Sequence, residues 1–244
     1  MIQVESFSKL YGDLRAVQSL TFSVPGGEVV GLVGPNGAGK TTTLRSIAGI
    51  VRPTEGTITV AGHDLEREPV AAKRRLAFIP DEPRLFEYLT VEEHLRFVGR
   101  MYGVADAAAR IPGLLAELEL DVKRKTLPGE LSRGMRQKLA IACGLLHEPQ
   151  ALLLDEPLTG LDPVGIRNMK ETITRRAALG SAVLLSSHLL HLVEEVCARV
   201  LILHQGRMVA FGSIAEIVAA RPDLAGRSLE GMFLRLIGRD QAES

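Results

Sequence analysis

The sequence predicts an α/β fold: a parallel-rich sheet covered by helices, an antiparallel β subdomain at the N-terminal end, and a helical subdomain inserted in the middle. Three observations carry that prediction. Residues 28–33, 151–155 and 181–186 are short, continuous apolar runs, the pattern of strands buried on both faces. The first run leads directly into a glycine-rich turn, which a helical stretch at 41–48 follows. Between residues 90 and 147 the texture is mostly helical, and strand texture returns at 151.

Taken in order, Ile2-Gln3-Val4 and Leu20-Thr21-Phe22-Ser23-Val24 alternate as short strands, with a turn at Pro25-Gly26-Gly27. Residues 56–60 form another strand, turning at Ala61-Gly62-His63. Thr90 and Glu93 have the spacing of a capping box that opens a helix. Leu114-Leu115-Ala116-Glu117-Leu118 continues the helical texture, and residues 123–129 are a polar break. A helix over 164–179 separates the two later apolar strands. Residues 199–211 read as a hairpin turning at Gln205-Gly206. Ser213 is placed to cap a final helix, and residues 239–244 are expected to fray.

A chain of 244 residues suits one large α/β domain or a main domain with a subdomain. Lys plus Arg and Asp plus Glu each number 29, so no global basic field points to nucleic acid. Cys143 and Cys197 lie far apart in apolar, helix-like stretches and read as buried free thiols, which suits a cytosolic compartment. The N-terminal residues lack a basic segment followed by an apolar run, so no secretory signal is expected. No run of about 18 apolar residues occurs, so the chain is not expected to span a membrane itself.

Gly34-Pro35-Asn36-Gly37-Ala38-Gly39-Lys40-Thr41 fits Gly-x-x-x-x-Gly-Lys-Thr, with a strand before it and a helix after it. Glycines let successive backbone N–H groups turn toward phosphate oxygens. The following helix adds its positive end. Lys40 reaches the β and γ phosphates as a point charge, and the Thr41 hydroxyl is suited to Mg²⁺. Thr42 extends the same loop. A second motif is Leu152-Leu153-Leu154-Asp155-Glu156-Pro157. An apolar strand ending in two acids is costly unless they face a cation or solvent. Asp155 is suited to Mg²⁺, directly or through water, and Glu156 to polarising an attacking water.

With these two motifs in place, the chain resembles an ATP-binding cassette (ABC) ATPase. Leu131-Ser132-Arg133-Gly134-Met135 resembles the family signature, usually Leu-Ser-Gly-Gly-Gln, and stands before a long helix and the acidic strand. Leu161-Asp162, within Thr159-Gly160-Leu161-Asp162-Pro163, resembles the D-loop. His188, after Ser186-Ser187, resembles the switch histidine, and Tyr11 the aromatic that stacks on adenine. The matches run in family order over residues 1–215. The resemblance implies the P-loop NTPase core of the ABC ATPase fold. It implies an ATPase domain over 1–220, a helical subdomain at about 90–147, and a short tail over 221–244.

Within that resemblance, residues 34–42 hold the phosphates of ATP. Glu156 orients water, His188 steadies it, and Ser132 and Gly134 contact an ATP held mainly by a second cassette. Ser132 also reads as a plain helix cap. Two motifs depart from the family pattern. Arg133 and Met135 replace the usual Gly and Gln, while Ser132 and Gly134, which the phosphate contact needs, are present. Asp81, in Ile79-Pro80-Asp81, takes the place of the Q-loop Gln; its shorter reach and its charge count against direct contact with Mg²⁺. The resemblance implies a second cassette, identical or different, and separate transmembrane permease subunits docked near the helical subdomain and residues 81–88. It places the chain on the cytoplasmic face of a membrane. Residues 81–90 and 229–234 resemble exporter cassettes, and the tail is too short for the regulatory domain of many importer cassettes. Soluble relatives acting in DNA repair or translation usually carry two cassettes, long coiled coils or zinc modules, none of which is present. No Asn-Lys-x-Asp motif points to GTP.

Overall fold

The computed structural model describes residues 1–240. Two sheets form the core of the fold. The first is antiparallel: β1 (Ile2–Tyr11), β2 (Leu14–Val24), β4 (Glu55–Val60) and β5 (His63–Asp64), in the order β2-β1-β4-β5. The first two strands are far longer than expected. Register shifts break their pairing after Val4 and near Phe7 and Lys9. These bulges scramble the period-2 alternation that a strand is read from.

The second sheet has six strands: β3 (Val29–Val33), β6 (Leu76–Ile79), β7 (Ala151–Asp155), β8 (Ala182–Ser186), β9 (Arg199–His204) and β10 (Arg207–Gly212). Their order is β10-β9-β3-β8-β7-β6. The β9–β10 hairpin turns at Gln205-Gly206 and its pairing is antiparallel; the other pairings are parallel. Every residue of β3, β7 and β8 is buried, which is why these segments read as unbroken apolar runs.

Helices cover both faces. Helix α1 (Lys40–Ile47), with the antiparallel sheet, buries Leu44 and Ile47 against Phe7, Leu32 and Leu153. On the other face, α5 (Arg133–Leu145) and α6 (Pro163–Ala178) pack with α3 (Val91–Tyr102) and α4 (Ala107–Glu117) through Leu95, Leu115, Leu139 and Ile173. Each such side chain contributes about 1.5–3 kcal/mol on burial. Thr90 and Glu93 form the expected capping box on α3, and Ser213 and Glu216 form one on α8 (Ile214–Ala220).

Helix α8 is not the final helix. Helix α9 (Leu229–Asp240) follows, and Leu229, Met232 and Leu236 pack on β9 and on α7 (Leu190–Val196). The expected fraying at 239–244 is therefore corrected at 239 and 240, which belong to α9; residues 241–244 lie outside the described residues. Helix α2 (Pro69–Arg74) precedes β6. Cys143 lies on α5 and Cys197 at the end of α7; both are free, and burial pushes each thiol up to about 12. Among the described residues, no helix is long and apolar enough to cross a membrane.

Candidate active site

The sheet order places the C-terminal ends of β3, β8, β7 and β6 side by side. Such an edge of a parallel sheet is where ligands of α/β folds bind. A cavity of 670 Å³ opens there. Its walls include Tyr11, Asn36, Gly37, Ala38, Gly39, Lys40, Thr41, Thr42, Asp81, Asp155 and Glu156.

The loop between β3 and α1 is shaped by two close backbone approaches. A Cβ at Gly34 would lie 2.5 Å from the Leu203 carbonyl oxygen. Gly39 caps α1 at φ 102°, and a Cβ there would lie 2.7 Å from the Ala16 carbonyl oxygen. A side chain at either position would collide with backbone. The hairpin turn supports the loop from outside: Gly206 N–H donates to the Ala38 carbonyl at 3.1 Å, and Gln18 N–H to the Gly206 carbonyl at 2.7 Å.

Lys40 folds back over this loop. Its Nζ donates to the carbonyls of Gly34 at 2.6 Å and Pro35 at 3.2 Å. Gly34 and Pro35 thus meet Lys40 rather than the cavity wall. Burial pushes the Lys40 ammonium below its ordinary value, and the charges of Glu156 and Asp155 pull it back up. A partly desolvated ammonium at the first helical turn is suited to an incoming polyphosphate.

Asp155 ends β7 and is buried. The Ser186 hydroxyl, on the neighbouring strand, donates to its Oδ1 at 2.5 Å. Thr41 stands on the same cavity wall. A hydroxyl and a buried carboxylate are hard oxygen donors, and they fit Mg²⁺, which keeps water and substrate oxygens in the rest of its shell. Among the described residues, no group of three or more His, Cys, Asp or Glu is placed to hold a metal.

Glu156 adopts φ 51°, the left-handed region. That conformation costs a non-glycine residue about 1–3 kcal/mol. Its N–H donates to the Ser186 carbonyl at 3.1 Å and to the Ser186 hydroxyl at 3.2 Å, which holds the turn. The carboxylate then meets His188: Nδ1 lies 2.8 Å from Oε2, and the His188 N–H donates to the same oxygen at 3.3 Å. No sequence spacing announces the backbone strain at Glu156.

Tyr11 is exposed at the cavity mouth, with the Lys9 ammonium 5.1 Å from its ring centroid. Leu14, Arg15, Ala16, Gln205 and Gly206 also line the cavity and were not among the expected residues. They come from β2 and the hairpin turn, which carry no phosphate-binding spacing of their own.

Ser132 and Gly134 are not among the residues lining this cavity. Ser132 caps α5, accepting from the Met135 N–H at 3.2 Å, and it is exposed. Asp81 does line the cavity, and its carboxylate accepts from Arg133 Nη2 at 3.0 Å. Asp162, in the D-loop-like segment, caps α6 by accepting from the Gly165 N–H at 2.7 Å.

Comparison with known proteins agrees with this geometry. The family described as ABC transporter matches residues 17–159. The chain is 33% identical over 242 residues to the ABC-type transporter ATP-binding protein EcsA of Bacillus subtilis, covering 98% of each chain. It is 36% identical over 219 residues to the linearmycin resistance ATP-binding protein LnrL of Bacillus subtilis, covering 89% of this chain and 70% of that one. It is 37% identical over 221 residues to the Nod factor export ATP-binding protein I of Paraburkholderia xenovorans, covering 90% of this chain and 73% of that one. Among solved structures, an ATP-binding subunit of an ABC transporter superposes with a TM-score of 0.92 at 38% identity, covering 97% of this chain and 99% of that one. A dimeric ATP-binding cassette bound to ADP and phosphate shares the fold, with a TM-score of 0.81 at 23% identity over 88% of this chain and 99% of that one. The phosphate loop at one strand end and the paired acids at another therefore have a family context: the chain belongs to the ABC transporter family, as an ATP-binding subunit that hydrolyses ATP.

Proposed function

We propose that this chain powers transport, in the direction of export, through separate transmembrane permease subunits, and that two cassettes close around ATP to do so. The observation that carries the proposal is an asymmetry. The phosphate loop, Asp155 and Glu156 converge on one cavity, with His188 bonded to Glu156, while Ser132 stands exposed and lines no part of it. Such a helix N-terminus is suited to a phosphate presented from another surface. The second cassette would supply Ser132 and Gly134 in trans.

In this reading Tyr11 stacks on adenine and residues 34–42 hold the phosphates. Thr41 and Asp155 would hold Mg²⁺, which supplies charge neutralisation at the phosphates when bound. Glu156 takes a proton from water as the water oxygen bonds to the γ-phosphorus. The bond from that phosphorus to the bridging oxygen breaks, and ADP leaves with the electron pair. His188 holds Glu156 and the departing phosphate in place. Lys40 offsets the negative charge that develops, where preorganised charge counts most. The strained backbone at Glu156 suits a group held in one orientation for this task.

The permease would dock beside the helical subdomain. Phe86, Tyr88, Phe97 and Met101 are exposed there, with Tyr88 at 88%. An apolar patch of that kind marks an interaction surface. The export direction draws on the names of the relatives in resistance and export. The division into an ATPase domain over 1–220 and a tail over 221–244 belongs to the same reading, as does a place on the cytoplasmic face of the membrane. Fractionation of cells expressing the tagged chain tests it. The chain should sediment with membranes, be released at alkaline pH, and co-purify from detergent with a multi-span protein. A chain wholly in the soluble fraction, or one bound to ribosomes or DNA, would contradict it.

A further inference from the structure

Arg133 and Asp81, two of the chain's departures from the family pattern, one in the signature and one at the Q-loop position, are bonded to each other. Arg133 Nη2 donates to Asp81 Oδ1 at 3.0 Å across 52 residues of sequence. Their side chains are 53% and 43% exposed, so the pair contributes little to stability, at most about 1 kcal/mol. Its position is more informative than its strength. Arg133 is the first residue of α5, whose first turn holds no acidic side chain. A cation there opposes the helix dipole. Asp81 supplies the compensating charge from the loop after β6, and it lines the nucleotide cavity.

The arginine also touches a third segment. A Cβ at Gly160 would lie 3.2 Å from Arg133 Cδ and 3.4 Å from Nε, so the stem occupies the space over the loop after β7. One turn further along α5, Gln137 Nε2 donates to the Pro80 carbonyl at 3.4 Å. The far side of the helical subdomain is tied differently. Glu117 on α4 accepts two bonds from Arg176 on α6, at 2.8 and 3.0 Å, and the two side chains are only 18% and 17% exposed. Arg175 joins the same carboxylate. The subdomain therefore has a sheltered anchor at α6 and a wet one at the cavity.

We propose that Asp81 and Arg133 form a nucleotide-linked latch, in which Arg133 is a positioning residue that acts through Asp81. An Asp facing a polyphosphate is repelled by it. The repulsion is relieved when Arg133 neutralises the carboxylate, so bound nucleotide tightens the pair. By thermodynamic reciprocity the pair tightens nucleotide binding. The inference rests on reading this cavity as the nucleotide site.

The test is a double-mutant cycle on the full chain, read as the Kd for ADP by calorimetry, a ligand that permits no turnover. Arg133→Gln should weaken ADP about fivefold, the upper range for a half-exposed pair. The same substitution should change Kd less than twofold when Asp81→Asn is already present. The fivefold difference should vanish at about 1 M NaCl, where the screening length is about 3 Å. A loss through altered packing would persist in salt and would be the same in both backgrounds, and either result overturns the latch. Equal melting temperatures for the variants exclude misfolding as the cause. Lys40→Ala run alongside separates the two readings. If it weakens ADP binding by about ten- to a hundredfold while the cycle shows no coupling, the latch fails alone. If it leaves ADP binding intact, the cavity assignment fails.

Discussion

The phosphate loop and the signature turn are both helix N-termini with positive ends, yet they are built to opposite standards. At the loop, Gly39 has no side chain with which to cap α1, and Lys40 spends its ammonium on the carbonyls of Gly34 and Pro35. The backbone there is enclosed by the Leu203 and Ala16 carbonyls. At the signature turn, Ser132 caps α5 with its own hydroxyl and remains exposed. The first end is shaped inside the chain. The second is satisfied as a helix cap, and neither Ser132 nor Gly134 lines the cavity beside it. The difference argues that the chain holds a whole binding site and half of a catalytic one.

Two substitutions break or sharpen that contrast. Lys40→Ala removes the charge at the enclosed end. It should weaken ADP binding by about ten- to a hundredfold, the range for a charged hydrogen-bonding group, and abolish turnover; calorimetry and phosphate release measure the two effects. Unchanged binding would break the loop's side of the comparison. Ser132→Ala acts on the exposed end. It should lower turnover about tenfold and leave the chain's own ADP affinity within about twofold. Its stability cost should be about 1 kcal/mol, from the lost cap. Equal losses in binding and turnover would show that Ser132 serves its own cavity and would erase the contrast.

The contrast also explains which parts were legible in the sequence. Elements enclosed on all sides carry strong local patterns: β3, β7 and β8 read as apolar runs and were placed to within a residue or so. The capping box at Thr90 and the helix cap at Ser213 are legible because such caps act over three residues, while Glu216 as the partner of Ser213 emerges only in the fold. Helices α2 and α7 were missed. At six and seven residues they complete fewer than two turns, and packing rather than propensity forms them. The tail reads as short, with fraying expected only over 239–244; α9 is not legible there because long-range packing of three apolar residues seats it on the sheet. The lengths of β1 and β2 were hidden by bulges, with Ser6 at φ 49° and Ser19 at φ 46°.

Within the site, the chemistry-bearing types were visible and their orientation was not. Asp155 and Glu156 are adjacent in sequence but face different partners, Ser186 and His188, because the backbone turns left-handed between them. The Asp81–Arg133 pair spans 52 residues, and each member alone reads as a deviation. Only the fold shows that each deviation answers the other.

The central claim is that Glu156 drives hydrolysis at a site that closes only when a second cassette joins it. Glu156→Gln tests it most directly, with phosphate release and light scattering measured on the same sample in ATP and Mg²⁺. The account predicts turnover reduced by at least about a hundredfold, as for loss of a general base, nucleotide binding retained, and a stable dimer formed in ATP but not in ADP. Unchanged turnover, or a strictly monomeric chain at saturating ATP, would contradict it.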